Sequence, residues 1–258
     1  MKRIFLATLV VMMAVTMTSC LSVNLNNNSG DYDTTPTLVP TGGVDTRLQP
    51  FDKVSVANAF KVIYTQGDDY NVRIEASEQA LKEMTVYVKD GELRIRKAVK
   101  KLSPDVVLSN VKVYVTSPDI KLIDLAGSGI FTASQPISVQ HDLDVDIAGS
   151  GKVLLVALNC RNSQLEIAGS GNIEMGNMGA AVVTADIAGS GDIKLGSMTC
   201  NQFNIDIAGS GDVNCDNINA ENVNVDIAGS GDVNLKGTVK HHTKDIAGSG
   251  KVNILPLE

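Results

Sequence analysis

Tryptophan is missing from this 258-residue chain, and Phe and Tyr contribute five residues each. A bulky globular core draws heavily on aromatics, and stacking platforms for sugars or bases require them. Cysteine is also sparse. Beyond Cys20 there are Cys160, Cys200 and Cys215, an odd set that excludes a complete disulfide framework. The histidines are His141, His241 and His242 alone, which leaves little for a nucleophile–base pair or a metal centre. Basic residues are outnumbered 22 to 29, for a net charge of −7. No Lys/Arg stripe interleaves with aromatics, so nucleic acid is excluded as a partner.

The one apolar run near the N-terminus, Ile4 to Val15, follows Lys2 and Arg3 and has signal-peptide length. It is too short to cross a bilayer comfortably. It ends in Met17-Thr18-Ser19-Cys20, which resembles a bacterial lipoprotein processing box, with Met17 in place of the commoner Leu. Residues 1–19 are therefore expected to be removed and Cys20 to carry lipid, palmitate among its acyl groups, giving the protein a membrane anchor. Loss of Lys2 and Arg3 leaves 20 basic against 29 acidic residues, a net −9. Residues 20–45 are rich in Asn, Ser, Gly, Thr and Pro and read as a flexible tether.

What the chain has in abundance is one phrase, repeated seven times. An acidic residue, an apolar one and Ala-Gly-Ser-Gly begin at Asp124, Asp146, Glu166, Asp186, Asp206, Asp226 and Asp245. The spacing is 22, then 20 four times, then 19. A period this short marks a solenoid in which each repeat is one coil. Around the phrase, apolar and polar residues alternate strictly, as in Asn222-Val223-Asn224-Val225-Asp226-Ile227 and Asp232-Val233-Asn234-Leu235. That is strand periodicity on both sides of a turn. Stacked coils would place like residues above like. Seven coils at about 4.8 Å each give a rod of roughly 34 Å.

The turn glycines are Gly127, Gly129, Gly149, Gly151, Gly169, Gly171, Gly189, Gly191, Gly209, Gly211, Gly229, Gly231, Gly248 and Gly250. A sharp corner between strands calls for positive φ, which glycine adopts freely. The serines between them would stack along one corner, with hydroxyls free to bond backbone or one another. A phosphate cradle would need a helix after each glycine turn, and a strand follows instead.

Cys160 and Cys200 hold the same repeat position two coils apart, about 9.6 Å, too far for a disulfide. Cys215 sits where other coils have Leu195 and Leu235, so all three read as small buried hydrophobes. In the last coil His242 and Lys244 stand where inner coils have Val223 and Val225, and Pro256 follows. That pattern predicts a cap that blunts the stack.

Residues 46–120 lack the repeat but are β-rich, and are expected to form irregular coils or a cap at the first end. Asp90-Gly91 between Val86/Val88 and Leu93/Ile95 predicts a hairpin. Gln66-Gly67-Asp68-Asp69 between Val62/Tyr64 and Val72/Ile74 predicts a second. Ser77 is placed to cap a short helix reaching Met84. Lys97, Lys100 and Lys101 read as a solvated loop. The organisation expected is thus 1–19 signal, 20–45 acylated cysteine and tether, 46–120 β-rich region, and 121–258 all-β solenoid of coils of about 20 residues.

At these residues the chain resembles the putative auto-transporter adhesin, head GIN-domain family of bacterial lipoproteins. The N-terminal β region, the Val111-Lys112-Val113-Tyr114-Val115-Thr116-Ser117-Pro118 strand and all seven Gly-Ser-Gly units carry the resemblance. It implies a right-handed parallel β-helix of the pectin-lyase type, an origin in Bacteroidetes, no recognised catalytic set, and a role in cell adhesion. It also implies surface display, and the expected location is the cell envelope, lipid-anchored at the outer membrane on either its surface or its periplasmic side. Surface lipoproteins of that group commonly carry acids just after the acylated cysteine. Here Cys20-Leu21-Ser22-Val23-Asn24-Leu25 has none, and the first are Asp31 and Asp33.

Candidate chemistry is confined to two acidic columns. One contains Asp146, Glu166, Asp186, Asp206 and Asp226, candidate cation ligands, with Asp124 and Asp245 at its ends. The other holds Asp192, Asp212 and Asp232, with Lys152, Asn172 and Lys251 at its remaining levels. Alternation turns both outward. Neighbouring carboxylates repel by roughly 0.9 kcal/mol in water, which a bridging calcium would relieve. The nine-residue period of calcium β-rolls is missing, however, and bonds from turn amides or Ser hydroxyls, together with solvation, would account for the column without an ion. Identical columns also argue against an active site, which needs unlike residues at one level. The reading is a non-enzymatic, cofactor-free, membrane-anchored rod with an adhesin-like binding face for a protein or polysaccharide ligand. Its rivals are a periplasm-facing envelope scaffold and, behind it, a polysaccharide-cleaving enzyme.

Overall fold

The computed structural model describes residues 21–27, 37–38, 48–98 and 110–257. The signal segment, Cys20, Lys100 and Lys101 lie outside them.

Two parallel walls meet at the Gly-Ser-Gly corner. The wall before the corner stacks β7 (Glu92–Lys97), β3 (Lys53–Ala57), β9 (Leu122–Gly127), β12 (Asp144–Gly149), β14 (Asn162–Gly169) and β16 (Val182–Gly189). It continues through the trailing halves of β17 (Asp192–Gly209), β18 (Val213–Gly229) and β19 (Asp232–Gly248). The wall after the corner stacks β8 (Lys112–Ser117), β4 (Lys61–Gln66), β10 (Ile130–Ala133), β13 (Lys152–Asn159) and β15 (Asn172–Gly179). The leading halves of β17 to β19 and then β20 (Lys251–Leu255) complete it. A short β11 (Ile137–Ser138) joins β13.

Apart from a one-residue shift between Cys215 and Ile218 against β19, register is kept residue for residue, so Asp186, Asp206, Asp226 and Asp245 stand one above another, as do Ile187, Ile207, Ile227 and Ile246. In the coil of β17 the side chains of Ile193, Leu195, Met198, Cys200, Phe203, Ile205 and Ile207 are buried. Alternation breaks at Gly196-Ser197 and Asn201-Gln202, where the coil bends into a short third side. One continuous apolar core results, and burial of such columns is the main favourable term in folding.

The two glycines of each corner serve different needs. The first has positive φ, from 127° at Gly127 to 147° at Gly229. The second does not, which narrows the expectation that both would. Its reason is close approach: a Cβ on Gly211 would stand 2.1 Å from the carbonyl oxygen of Gly191 and 2.7 Å from Cγ2 of Ile187.

The N-terminal region adds one more coil whose corner is disguised. Ser55-Val56-Ala57-Asn58 runs beneath Asp124-Leu125-Ala126-Gly127, and Asn58 takes the left-handed conformation (φ 80°) where glycine stands above. Asparagine is the residue type that tolerates this best after glycine. Beyond that coil both walls switch to antiparallel strands. β6 (Met84–Lys89) pairs with β7 across the expected Asp90-Gly91 turn, and β2 (Thr37–Leu38) pairs with β6. β5 (Tyr70–Ala76) pairs with β8, and β1 (Leu21–Asn27) with β5. Helix α1 (Glu78–Lys82) starts at Ser77, whose hydroxyl accepts from the Ala80 amide.

Two expectations are corrected here. β4 and β5, read as a hairpin about Gln66–Asp69, do not pair, because β8 lies between them. Within the segment read as tether, Leu21–Asn27 is a strand. Its alternating Leu21, Val23 and Leu25 suit β pairing, which composition alone concealed.

Candidate functional site

The acidic column stands on the outer face of the wall before the corner. Alternation drives Ile147, Ile167, Ile187, Ile207 and Ile227 into the core and so turns the acids beside them outward. A column of exposed alanines, Ala168, Ala188, Ala208, Ala228 and Ala247, runs alongside. Short methyl groups beside longer carboxylates leave an open groove of about 690 Å³ lined by Glu166, Asp186, Asp206, Asp226 and Asp245.

Of the partners expected for this column, the serine amides of the turns are engaged elsewhere. The Ser150, Ser170, Ser190, Ser210 and Ser230 amides donate instead to the glycine carbonyl of the coil before, at 2.8 Å each. Other partners come at the lower levels: Ser55 donates to Asp124 at 2.8 Å, and Gln164 donates to Glu166 and Asp186. Burial, then the neighbouring charges of Glu166, Asp144 and Asp124, push the Asp146 carboxyl up to about 6. Burial and the flanking Asp186 and Asp226 raise Asp206 as well. Among the described residues no group of three or more His, Cys, Asp or Glu side chains is arranged to hold a metal ion.

The second acidic column has a structural duty. Asp192 accepts from the Asp212 amide, Asp212 from Asp232, and Asp232 from Lys251, at 3.2, 2.8 and 2.9 Å. Each carboxylate thereby clips one coil to the next.

Asparagine ladders flank these columns. Asn253 donates to Asn234 and Asn234 to Asn214, while Thr243 and Asn224 form a similar ladder onto Asn204. Their signal was present in the repeated Asn at positions 20 residues apart. Near the opposite bend, Gly176 and Gly196 leave the coil edge bare beside Val156, which is 44% exposed. The resulting groove, about 540 Å³, has Glu174 and Lys194 on its wall.

A further polar cluster joins the first regular coils to the N-terminal region. His141 Nε2 lies 2.7 Å from the Asp119 carboxylate, and Arg161 binds Asp142 through two bonds. Beneath them the buried Tyr64 hydroxyl meets the Ser117 hydroxyl at 3.0 Å. Burial pushes Tyr64 up to about 12 against the opposing effect of Ser117. No repeat signalled this cluster. Ser117 is fully buried and donates to the Asp119 carbonyl, so it is a structural hydroxyl rather than a nucleophile.

Among the described residues the cysteines, Cys160, Cys200 and Cys215, are free thiols. Burial raises Cys160, Cys200 and Cys215 to about 11, far from the range of a reactive thiolate. His241 and His242 stand exposed in the last complete coil. Among the described residues no helix is long and apolar enough to cross a membrane.

No protein of curated function matches the sequence. Solved structures share the fold. A putative adhesin from Bacteroides fragilis is 20% identical, with a TM-score of 0.76 over 93% of this chain and 97% of its own. A putative lipid binding protein from Parabacteroides distasonis is 22% identical, with a TM-score of 0.65 over 83% and 95%. A putative adhesin from the same organism is 17% identical, with a TM-score of 0.71 over 92% and 97%. The family described as putative auto-transporter adhesin, head GIN domain, matches residues 50–215 and 180–258. Those two matches take in the disguised coil and every Gly-Ser-Gly corner, and the chain therefore belongs to that family.

Proposed function

We propose that the protein is a lipid-anchored, non-enzymatic binding rod of the cell envelope, adhesin-like in action. One observation carries the reading: outward side chains repeat in columns along the coils, Asp above Asp and Asn above Asn. A surface built this way offers the same contact many times over a length of tens of ångströms. That suits an extended protein or polysaccharide better than a small substrate, which needs unlike groups gathered at one level. The family and the structural neighbours carry adhesin or binding names, which supports the same direction.

Cys20 is the anchor in this proposal, with the outer membrane as its site. In cell fractionation, Cys20→Ser should move the protein from the membrane to the soluble fraction; unchanged detergent partitioning would remove the lipid from the account. Antibody labelling of intact against permeabilised cells decides which side the rod faces. Labelling of intact cells is expected for an adhesin. Labelling only after permeabilisation would favour a periplasm-facing scaffold, a reading supported by the acid-free stretch Leu21 to Leu25 after Cys20.

A further inference from the structure

Charge is distributed very unevenly along the rod. Residues 162–235 carry ten Asp and Glu against Lys194 alone. The last coil reverses this: Lys236, Lys240, Lys244 and Lys251, with His241 and His242, outnumber its two acids, Asp245 and Glu258. The four lysines, both histidines and Asp245 are exposed, and of the four lysines only Lys240 forms an ion pair, to Glu221 at 2.7 Å. His242 and Lys244 occupy the inward register above Val223 and Val225, so a further coil stacked there would bury charge.

The same coil carries exposed apolar groups. Of the three large apolar side chains that stand exposed among the described residues, two are Leu255 (53%) and Leu257 (54%). Val252 and Ile254 are only half-covered beside them. Blunting an open strand edge calls for polarity of either sign and for no exposed leucine. Cations next to exposed leucines are instead the chemistry of attachment to an anionic lipid surface.

We propose that this coil is a docking tip for an anionic membrane surface, which the rod meets end-on. The proposal rests on the binding-rod reading and names its ligand class. The acidic shaft repels such a surface side-on. At physiological salt, charges are screened beyond about 8 Å, so a rod several times longer presents its tip's charge locally without cancellation from the shaft. Lys236, Lys244 and Lys251 supply attraction, and Leu255 and Leu257 the insertion that prolongs contact. The tip has no aromatic residue between positions 236 and 258, which disfavours recognition of sugar rings or bases by stacking.

The test uses the chain from residue 20 onward with Cys20→Ser, so that no acyl group enters the vesicles. Vesicles of 30% phosphatidylglycerol in phosphatidylcholine are compared with phosphatidylcholine alone by co-sedimentation. Binding is expected to the anionic vesicles only, and to weaken at 0.5 M NaCl. Lys236→Gln/Lys244→Gln/Lys251→Gln should reduce partitioning on the order of a hundredfold, at roughly fivefold per lysine. Leu255→Ser/Leu257→Ser should shorten residence with less effect on the salt dependence. All five positions are exposed, so melting temperatures should match the parent and show that loss of binding is not unfolding.

Failure of the parent to bind, or equal binding by the triple-lysine variant, would overturn the proposal. So would retention on dextran sulfate beads without vesicle binding, which would reassign the tip to a soluble polyanion. Attachment to cells or matrix that survives the triple substitution would leave the adhesin reading standing and remove only the tip.

Discussion

His141 Nε2 sits 2.7 Å from the carboxylate of Asp119, a residue 22 positions earlier, and so fastens the first regular coil to the loop that follows β8. Burial works to lower the imidazole pKa, but the Asp142 carbonyl and the Asp119 carboxylate outweigh it and raise the value above 6.5. A raised folded value means that this contribution is fully present below the unfolded pKa and is lost as pH rises through the folded one. His141→Gln should therefore lower the melting temperature more at pH 5.5 than at pH 8.5. An equal drop at both would show that the contact is steric and not ionic.

Asp146 has linkage of the same sign, but here it appears as a penalty on the charged form. Its carboxyl is raised to about 6, so the folded state takes up a proton more readily than the unfolded one. Folding is then disfavoured by this group at neutral pH, and the penalty fades as pH falls through about 6. Asp146→Asn should stabilise the protein at pH 7 by about 1 kcal/mol, allowing for solvent screening. The gain should vanish at pH 4, which urea unfolding at the two pH values would reveal. A fixed benefit at both would point to packing. If the column holds no ion, millimolar calcium against chelator should leave the melting temperature of the parent unchanged.

Register predicts a sharp contrast between neighbours. Val225 is 1% exposed between Val223 and Ile227, whereas the Asn224 side chain faces outward in its ladder. Val225→Asp places a charge in the core and should cost several kcal/mol, enough to unstack the adjoining coils. Asn224→Asp loses the amide it donates to Asn204, and should cost about 1 kcal/mol. Thermal melts of the two variants check this; similar losses would mean that the register is wrong.

Much of this architecture was legible because a repeat converts local patterns into global ones. Once Val223, Val225 and Ile227 alternate with polar residues and recur every 20 positions, stacking follows without knowledge of any distant contact. The Asp90-Gly91 turn was legible for a similar reason: both residues take positive φ, 54° and 73°, as a two-residue hairpin turn requires. Where the repeat fails, so does the inference. Strand character at Val62–Tyr64 and Val72–Ile74 says nothing of partner, and β8 entered between them from 40 residues away. Asn58 hid a whole coil by replacing glycine. The acidic column was read by arithmetic, yet its hydrogen bonding was not, because outward side chains leave no periodic trace of what they touch.

The glycine corner gives the most discriminating test, since one motif should carry different costs at different levels. A Cβ on Gly209 would lie 2.1 Å from the carbonyl oxygen of Gly189, and at Gly127 the nearest atoms are those of the Asn58 backbone, at 3.1 Å. Both have positive φ, 138° and 127°, so alanine suffers backbone strain of about 1–2 kcal/mol in either place. At Gly127 the Asn58 backbone need give only slightly, whereas at Gly209 a neighbouring backbone must move much further, and that backbone is held from above and below by the parallel ladder. Gly127→Ala should therefore lose about 1–2 kcal/mol, and Gly209→Ala roughly twice that or more, with exchange protection lost in the coils on both sides. Urea unfolding gives the first comparison and amide hydrogen exchange the second. Equal costs would mean that φ alone selects the first glycine of each corner; a larger cost at Gly209 assigns the excess to the close passage of one coil over the next.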